Sequence, residues 1–125
     1  MPRTAITTTA LAAPAGPFSP AVLGTASIYV SGQVAQDPAT GQLVSGDVAA
    51  QAEQIFRNLA AILGAAGKTF ADVVRVGVYL IDMGDFAAMN AVYARHFTAP
   101  YPARTTIAVA ALPLGAAIEI DLVAD

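Results

Sequence analysis

The sequence contains no cysteine, a single histidine and few charged residues. Without cysteine, disulfides, thiolate catalysis and cysteine-ligated metal sites are all excluded. The lone histidine, His96, rules out a histidine-rich metal site, and we interpret it as an ordinary residue near a helix end. We therefore expect a protein that binds no metal and whose location is the reducing cytoplasm.

Charged side chains make up 12% of the chain, which carries a net charge of −3 and has a pI near 4.8. The lysine and arginine residues form no cluster, which argues against binding of nucleic acid through its phosphates. No apolar run reaches the roughly 18–20 residues that span a bilayer. The first residues of the chain also lack the continuous apolar segment of a signal peptide. We expect neither nucleic acid nor a membrane among the partners.

Hydrophobic residues, in contrast, are abundant: they make up 56% of the 125 residues, and the mean hydropathy is +0.60. The length fits one domain, which we place at residues 1–125. A domain of this size leaves a large share of its surface exposed. Either that surface is rich in alanine or an apolar face is buried against other subunits, and we expect a homo-oligomer.

Apolar residues at three- and four-residue spacing predict a helix in the middle of the chain. Asp47 is its expected N-cap, because a carboxylate there accepts hydrogen bonds from unpaired backbone N–H groups. The helix is expected to run to about Leu63, where nearby glycines stop it. The spacing places Gln51 and Asn58 largely outside the apolar face.

A second helix is expected to start beyond Asp82 or Asp85 and to continue to about Phe97. Alternating or β-branched runs predict strands over residues 4–9, 27–31, 72–80, 103–111 and 116–124. The resulting order is β, β, α, β, α, β, β. This order predicts an α+β sandwich in which two helices cover one face of a mixed sheet.

The last two strands, joined by Leu112–Gly115, are predicted to form a hairpin. Alternation along them places Arg104 and Glu119 together on the face away from the helices. With the turn centred on Pro113-Leu114, Ala108 lies opposite Glu119, and Arg104 is roughly 13 Å further along. A small molecule could lie between the two side chains, or subunit packing could bring Arg104 of one chain towards Glu119 of another.

The chemistry of this pair suits a small carboxylate ligand. Arginine offers a carboxylate two parallel N–H···O bonds from a planar group that stays charged. Glutamate can position or activate a water molecule when burial tunes its pKa. A structural ion pair or two solvated charges are the alternatives that the residues alone leave open.

Several segments of the chain form a recognisable pattern: Gly16–Ala21, Ser31–Gln33, Gln51, Asn58-Leu59, Met89–Tyr93, Pro102–Thr106 and Ala111–Asp121. In order and spacing they resemble the Rid family, the RidA/YjgF proteins or reactive intermediate deaminases. The resemblance covers nearly the whole chain and is strongest around Arg104 and Glu119.

This resemblance implies a chorismate-mutase-like fold and a homotrimer with three ligand sites at its subunit interfaces, without a metal or organic cofactor. It implies a 2-iminobutanoate/2-iminopropanoate deaminase, which hydrolyses reactive 2-imino or enamine acids, including 2-aminoacrylate, to 2-oxo acids and ammonia. The alternative is a non-catalytic member that binds small carboxylates or acts as a chaperone-like regulator. A ribonuclease role is a third reading, which the acidic pI disfavours.

Carried over by position, the resemblance makes Arg104 the anchor of the substrate carboxylate. It makes Glu119 the residue that orders or activates the attacking water. Ser31 and Gly32 are expected to line the pocket, with Asn90 as a further candidate.

Two substrate-binding positions depart from the family pattern. Phe18 stands where tyrosine is frequent, so it can form a pocket wall but lacks a hydroxyl, and Thr106 stands where cysteine is frequent. We expect these departures to affect substrate preference or rate. Tyr101 could border the site, whereas Tyr29 and Tyr93 are interpreted as packing residues.

Overall fold

Burial follows the predicted alternation most clearly in the last strand, where Ile118, Ile120 and Leu122 are buried and the residues between them are partly exposed. This strand belongs to a six-stranded mixed sheet covered by two α-helices, in a computed structural model that describes residues 3–125. Met1 and Pro2, which begin the stretch considered for a signal peptide, lie outside the described residues. The predicted α+β class is confirmed.

The elements can be given in chain order. The strands are β1 (Thr4–Ile6), β2 (Ala21–Leu23), β3 (Ile28–Gln33), β4 (Val73–Leu80), β5 (Ala103–Ala108) and β6 (Ile118–Ala124), and the helices are α1 (Val48–Ala65) and α2 (Phe86–Tyr93). The strand order is β1-β2-β3-β6-β4-β5, and only the β4–β5 pair is parallel. The prediction lacks β2, a strand of three residues directly after a proline-rich segment. Among the described helices, none has the length and apolar character needed to cross a membrane.

The first helix follows its prediction closely. The Asp47 side chain accepts a hydrogen bond from the Ala50 N–H at 3.0 Å. The helix ends at Ala65, slightly beyond the expected Leu63. Gly67 follows with a φ of +73°, a left-handed conformation that costs glycine little and other residues more.

The second helix is shorter than predicted. The Asp82 side chain accepts a hydrogen bond from the Gly84 N–H at 2.8 Å and caps a short 3₁₀ turn, from which α2 continues. α2 itself ends at Tyr93. Phe97 lies just after the turn that follows α2 and is still buried, so the apolar spacing extends beyond the helix.

Two polar residues of α1, predicted to lie largely outside its apolar face, are in fact buried. Gln51 and Asn58 are 7% and 2% exposed, and both side chains bind backbone groups outside the helix. The Gln51 Oε1 accepts from the Ala117 N–H at 2.9 Å, next to the start of β6. The Asn58 Nδ2 donates to the Gln36 carbonyl at 2.9 Å. Burial is tolerated because these hydrogen bonds replace those made to water.

The predicted C-terminal hairpin is wrong, because β4 lies between β5 and β6. β4, α2 and β5 form a crossover unit, and such a unit places its second strand parallel to the first. β5 therefore pairs with the outer side of β4, where Arg104 lies beside Val76. β6 pairs antiparallel with the inner side, where Glu119 lies beside Tyr79 and not beside Ala108.

This pairing also corrects the predicted face of Arg104. Residues paired across neighbouring strands share a face of the sheet, and Val76, the partner of Arg104, is fully buried on the helix side. Arg104 and Thr106 therefore point towards the helices. Glu119 lies on the helix-free face, as predicted, since its neighbours along β6 are buried on the other side.

The bond between α1 and the start of β6 can be tested by mutation. We expect Gln51→Ala to lower the free energy of unfolding by about 1–3 kcal/mol, because the Ala117 N–H loses its acceptor. Urea denaturation at fixed protein concentration measures the change. Gln42→Ala, the same replacement in an exposed turn, is the control. Equal losses in the two variants would show that the Gln51 hydrogen bond adds nothing to stability.

Candidate functional site

Arg104 projects from β5 into a hollow of about 310 Å³ beside α2. Its guanidinium carbon lies 4.6 Å from the centroid of the Tyr93 ring and 5.7 Å from that of Phe86. Both distances allow a cation–π interaction, which orients the guanidinium without neutralising it. Among residues 3–125 Arg104 forms no ion pair, so its charge is available to an anion from outside the chain.

Three buried polar atoms belong to side chains around this arginine and have no hydrogen-bond partner: Asn90 Oδ1, Tyr93 Oη and Thr106 Oγ1. Asn90 and Tyr93 line the hollow with Arg104, and Thr106 follows Arg104 on the same face of β5. Buried polar groups usually have a partner, because an unpaired one costs about 1–3 kcal/mol. The arrangement is therefore suited to a polar ligand or water.

Two tyrosines complete this hollow. Tyr101, which is expected to border the site, lines this hollow together with Arg104. Tyr93 is buried, as expected of a packing residue, but it also lines the hollow. Burial raises the pKa of the Tyr93 hydroxyl, and the positive charge of Arg104 opposes that rise. Tyr93 therefore both packs in the core and lines the hollow. Its spacing of three residues from Asn90, which places both on one side of α2, could have indicated the second position.

The Glu119 side chain lies on the other face of the sheet and lines a second hollow, of about 260 Å³. The pairing of β3 with β6 is irregular between Val30 and Gln33, which brings Gly32 under the Glu119 side chain. A Cβ atom on Gly32 would overlap the Glu119 carboxylate, so this position requires glycine unless the carboxylate moves. Phe18 forms another part of the wall.

Ser31 has a different place from the one expected. Its hydroxyl donates a hydrogen bond to the Ser19 carbonyl at 2.7 Å, and the residue is not part of the wall around Glu119. Ser19 directly follows Phe18. Ser31 thus holds the loop that carries Phe18, and we assign it a supporting position.

The electrostatic surroundings of Glu119 favour its neutral form. Burial raises the pKa of its carboxyl, and the negative charge of Asp121, two residues along the same face, raises it further. Tyr79, the cross-strand neighbour of Glu119, donates a hydrogen bond from its hydroxyl to Asp121 Oδ2 at 2.8 Å. That bond in turn raises the pKa of Tyr79. Gly77 leaves the space for it, because a Cβ there would lie 2.8 Å from the Tyr79 oxygen.

The structure therefore divides the predicted site residues between two hollows. Arg104, Asn90 and Thr106 lie on the helix side of the sheet, whereas Glu119, Gly32 and Phe18 surround the hollow on the other face. One chain does not bring the two groups together. Sequence reasoning also misses Leu114, which lines the Glu119 hollow, although an apolar residue between proline and glycine in a turn could have indicated it.

The described residues offer no metal site. Within residues 3–125, no group of three or more histidine or acidic residues could hold an ion. His96 contacts the Glu53 carboxylate at 3.3 Å and stacks on Phe56 at 4.3 Å between ring centroids. It lines neither of the two hollows.

Comparison with known proteins identifies the family of the chain. A family model described as endoribonuclease L-PSP matches residues 7–125. A human protein named 2-iminobutanoate/2-iminopropanoate deaminase is 50% identical over 109 residues, covering 87% of this chain and 80% of that protein. Protein DfrA of Myxococcus xanthus is also 50% identical, over 111 residues, covering 87% and 85% of the two chains.

Comparison with solved structures identifies the fold. The crystal structure of RidA from an Antarctic Psychrobacter species has a TM-score of 0.93 and 43% identity, and the match covers 98% of both chains. The predicted RidA-like fold is thereby confirmed. The chain belongs to the endoribonuclease L-PSP family, the YjgF/RidA proteins, as the resemblance of its sequence indicates.

Proposed function

We propose that this protein is an imine deaminase, which hydrolyses 2-imino and enamine acids such as 2-iminopropanoate, 2-iminobutanoate and 2-aminoacrylate. The observation that carries the proposal is the Arg104 hollow, where a cation without an ion-pair partner lies among buried polar atoms that lack hydrogen bonds. Such a hollow suits a small carboxylate with additional polar groups. The name of the human relative supports the same reaction.

In the proposed mechanism Arg104 binds the substrate carboxylate through two parallel N–H···O bonds. Glu119 accepts a proton from a water molecule whose oxygen attacks C2 of the iminium group. The product is a carbinolamine, and Glu119 returns the proton to its nitrogen. The C–N bond then breaks with its electron pair on nitrogen, the hydroxyl proton passes to the departing ammonia, and a 2-oxo acid remains. An iminium carbon is already electrophilic, so positioning supplies much of the catalysis.

The proposal includes a homotrimer whose sites lie between subunits. Arg104 and Glu119 occupy opposite faces of one sheet, so a common site requires Arg104 of one chain and Glu119 of the next. Apolar side chains on the helix-free face support burial against another subunit, since Tyr29 is 52% and Ile107 is 45% exposed. A cyclic trimer with one such contact between each pair of subunits has three equivalent sites.

The role of Arg104 has a direct test. We expect Arg104→Ala to lower kcat/KM for 2-iminopropanoate generated in situ by about 100-fold or more, because two charge-assisted hydrogen bonds are lost. Release of 2-oxo acid above the spontaneous rate measures the change. Arg57→Ala, on the exposed side of α1, is the matched control and should keep the wild-type rate.

The same assay separates the candidate functions. If the wild type and Arg104→Ala both leave the spontaneous rate unchanged, the protein is not a deaminase of this substrate. A carboxylate-binding protein would show affinity that depends on Arg104 but no turnover. A ribonuclease is disfavoured by charge, since the chain has 6 lysine and arginine residues against 9 acidic ones.

Mixed trimers test whether two chains share a site. Arg104→Ala and Glu119→Gln are each expected to be inactive alone. Every mixed trimer contains one intact site of three, because the two kinds of subunit meet once in the order that joins an unchanged Arg104 to an unchanged Glu119. The isolated mixed species should therefore have about one third of wild-type activity. Separately tagged chains, refolded together and assayed as the isolated mixed species, provide the measurement. No recovery in the mixed species would place the required Arg104 and Glu119 in the same chain.

The pH dependence of the reaction follows from Glu119. Its carboxylate form accepts the proton, and its pKa is raised by burial and by Asp121. We therefore expect kcat/KM to fall with decreasing pH already above the ordinary glutamate pKa of 4.5. Asp121→Asn removes one of the two causes and should move this fall to lower pH. Asp85→Asn, outside both hollows, should leave the profile in place, and an unshifted Asp121→Asn profile would contradict the assignment.

A further inference from the structure

Leu114 is a strained and exposed apolar residue. It lies in the turn Pro113–Gly115 with φ +60° and ψ +15°, and it is 59% exposed. The left-handed conformation costs a residue with a Cβ atom roughly 1–2 kcal/mol, whereas glycine or asparagine adopts it readily. Contacts within the chain offset little of this cost, because most of the side chain faces outwards. An observed outlier of this kind points to a function of the side chain.

The position of Leu114 narrows that function. Its side chain lines the hollow of about 260 Å³ that also contains the Glu119 carboxylate. The rest of the lining is largely aliphatic or aromatic, with Leu11, Pro14, Phe18, Val34 and Pro113 among its members. Asn58, one of the few polar members, already has its amide bound to Gln36 and Gln54. A ligand beside Glu119 in this hollow would therefore contact mainly apolar side chains.

The proposed reaction indicates which part of the substrate occupies the hollow beside Glu119. The substrate carbon attacked by water must lie beside Glu119, and the substrate carboxylate points to Arg104 of another chain. The remaining substituent on that carbon is the side chain of the 2-imino acid. The volume of the hollow, about 260 Å³, is slightly below the roughly 300–1,000 Å³ of small-molecule sites, but it exceeds what a methyl group requires.

We infer that Leu114 and the wall carrying Phe18 form a subsite for the aliphatic side chain of the substrate, with preference for three or four carbons over the methyl group of 2-iminopropanoate. The inference rests on the proposed function and adds a substrate class to it. Leu114 acts here as a specificity residue. Its apolar side chain is retained in an unfavourable backbone conformation because it contacts the substrate.

A chain-length series tests the subsite. An amino-acid oxidase generates the imines in situ from alanine, 2-aminobutyrate and norvaline, and kcat/KM is measured for each. We expect the wild-type value to rise about threefold to fourfold for each added methylene, the effect of burying one such group. Leu114→Asn keeps a residue that tolerates the left-handed conformation but removes the apolar surface. It should lower the ratio of the norvaline-derived to the alanine-derived imine about tenfold.

Leu23→Asn makes the same replacement at an exposed position outside both hollows and should retain the wild-type ratio. A wild-type ratio independent of chain length, or an unchanged ratio in Leu114→Asn, would overturn the subsite. Dissociation of Leu114→Asn in sedimentation, while the wild type stays assembled, would instead make Leu114 a contact between copies of the chain and would also overturn it.

A series of binding measurements tests the subsite independently of the proposed deaminase activity. The affinities of 2-oxopropanoate, 2-oxobutanoate and 2-oxopentanoate are measured by calorimetry on the wild type and Leu114→Asn. If no imine is turned over, the deaminase proposal fails, but an affinity that rises with chain length and depends on Leu114 still supports the subsite. Affinities that are equal along the series in both proteins contradict the subsite even if the deaminase proposal holds.

Discussion

The parallel pairing of β4 with β5 determines the positions of the two candidate site residues, Arg104 and Glu119. The crossover through α2 places β5 on the outer side of β4, and β6 then occupies the inner side. Arg104 consequently shares a face with the buried Val76 and reaches the aromatic side chains of α2. Glu119 shares a face with Tyr79 and lies beside β3. Had β5 and β6 formed a hairpin, both charges would lie on one face of the sheet.

The local features of the fold could be predicted from the sequence because they depend on local physics. The Asp47 cap and the alternation of β6 follow from hydrogen bonding and periodicity within a few residues. The partner of β5 could not be predicted, because alternation shows which residues share a face but not which strand lies next to them. Burial of Gln51 was missed for a related reason, since its hydrogen bond to Ala117 joins residues far apart in the chain.

The candidate site, too, could be predicted only in part. Family resemblance supplies the residue types, and the structure supplies their surroundings: the unpartnered polar atoms near Arg104 and the raised pKa of Glu119. An isolated carboxylate whose pKa is raised by burial opposes folding when it is ionised. Gly32 and Gly77 allow close approach of Glu119 and of the Tyr79–Asp121 pair. Ionised Glu119 therefore lowers the stability of the fold, at the position where the proposed reaction needs a proton acceptor. Such a loss of stability is common at functional sites.

The outer edge of β5 has a further consequence. β5 is the last strand in the sheet order, and its backbone groups on that side have no strand to pair with among residues 3–125. A strand edge of this kind is a template for other extended segments, and Ile107 adds exposed apolar surface to it. The chain therefore presents an edge that is open to incorrect pairing with other extended segments. Aggregation through this edge competes with correct folding, and it becomes faster as the concentration of unprotected chains rises.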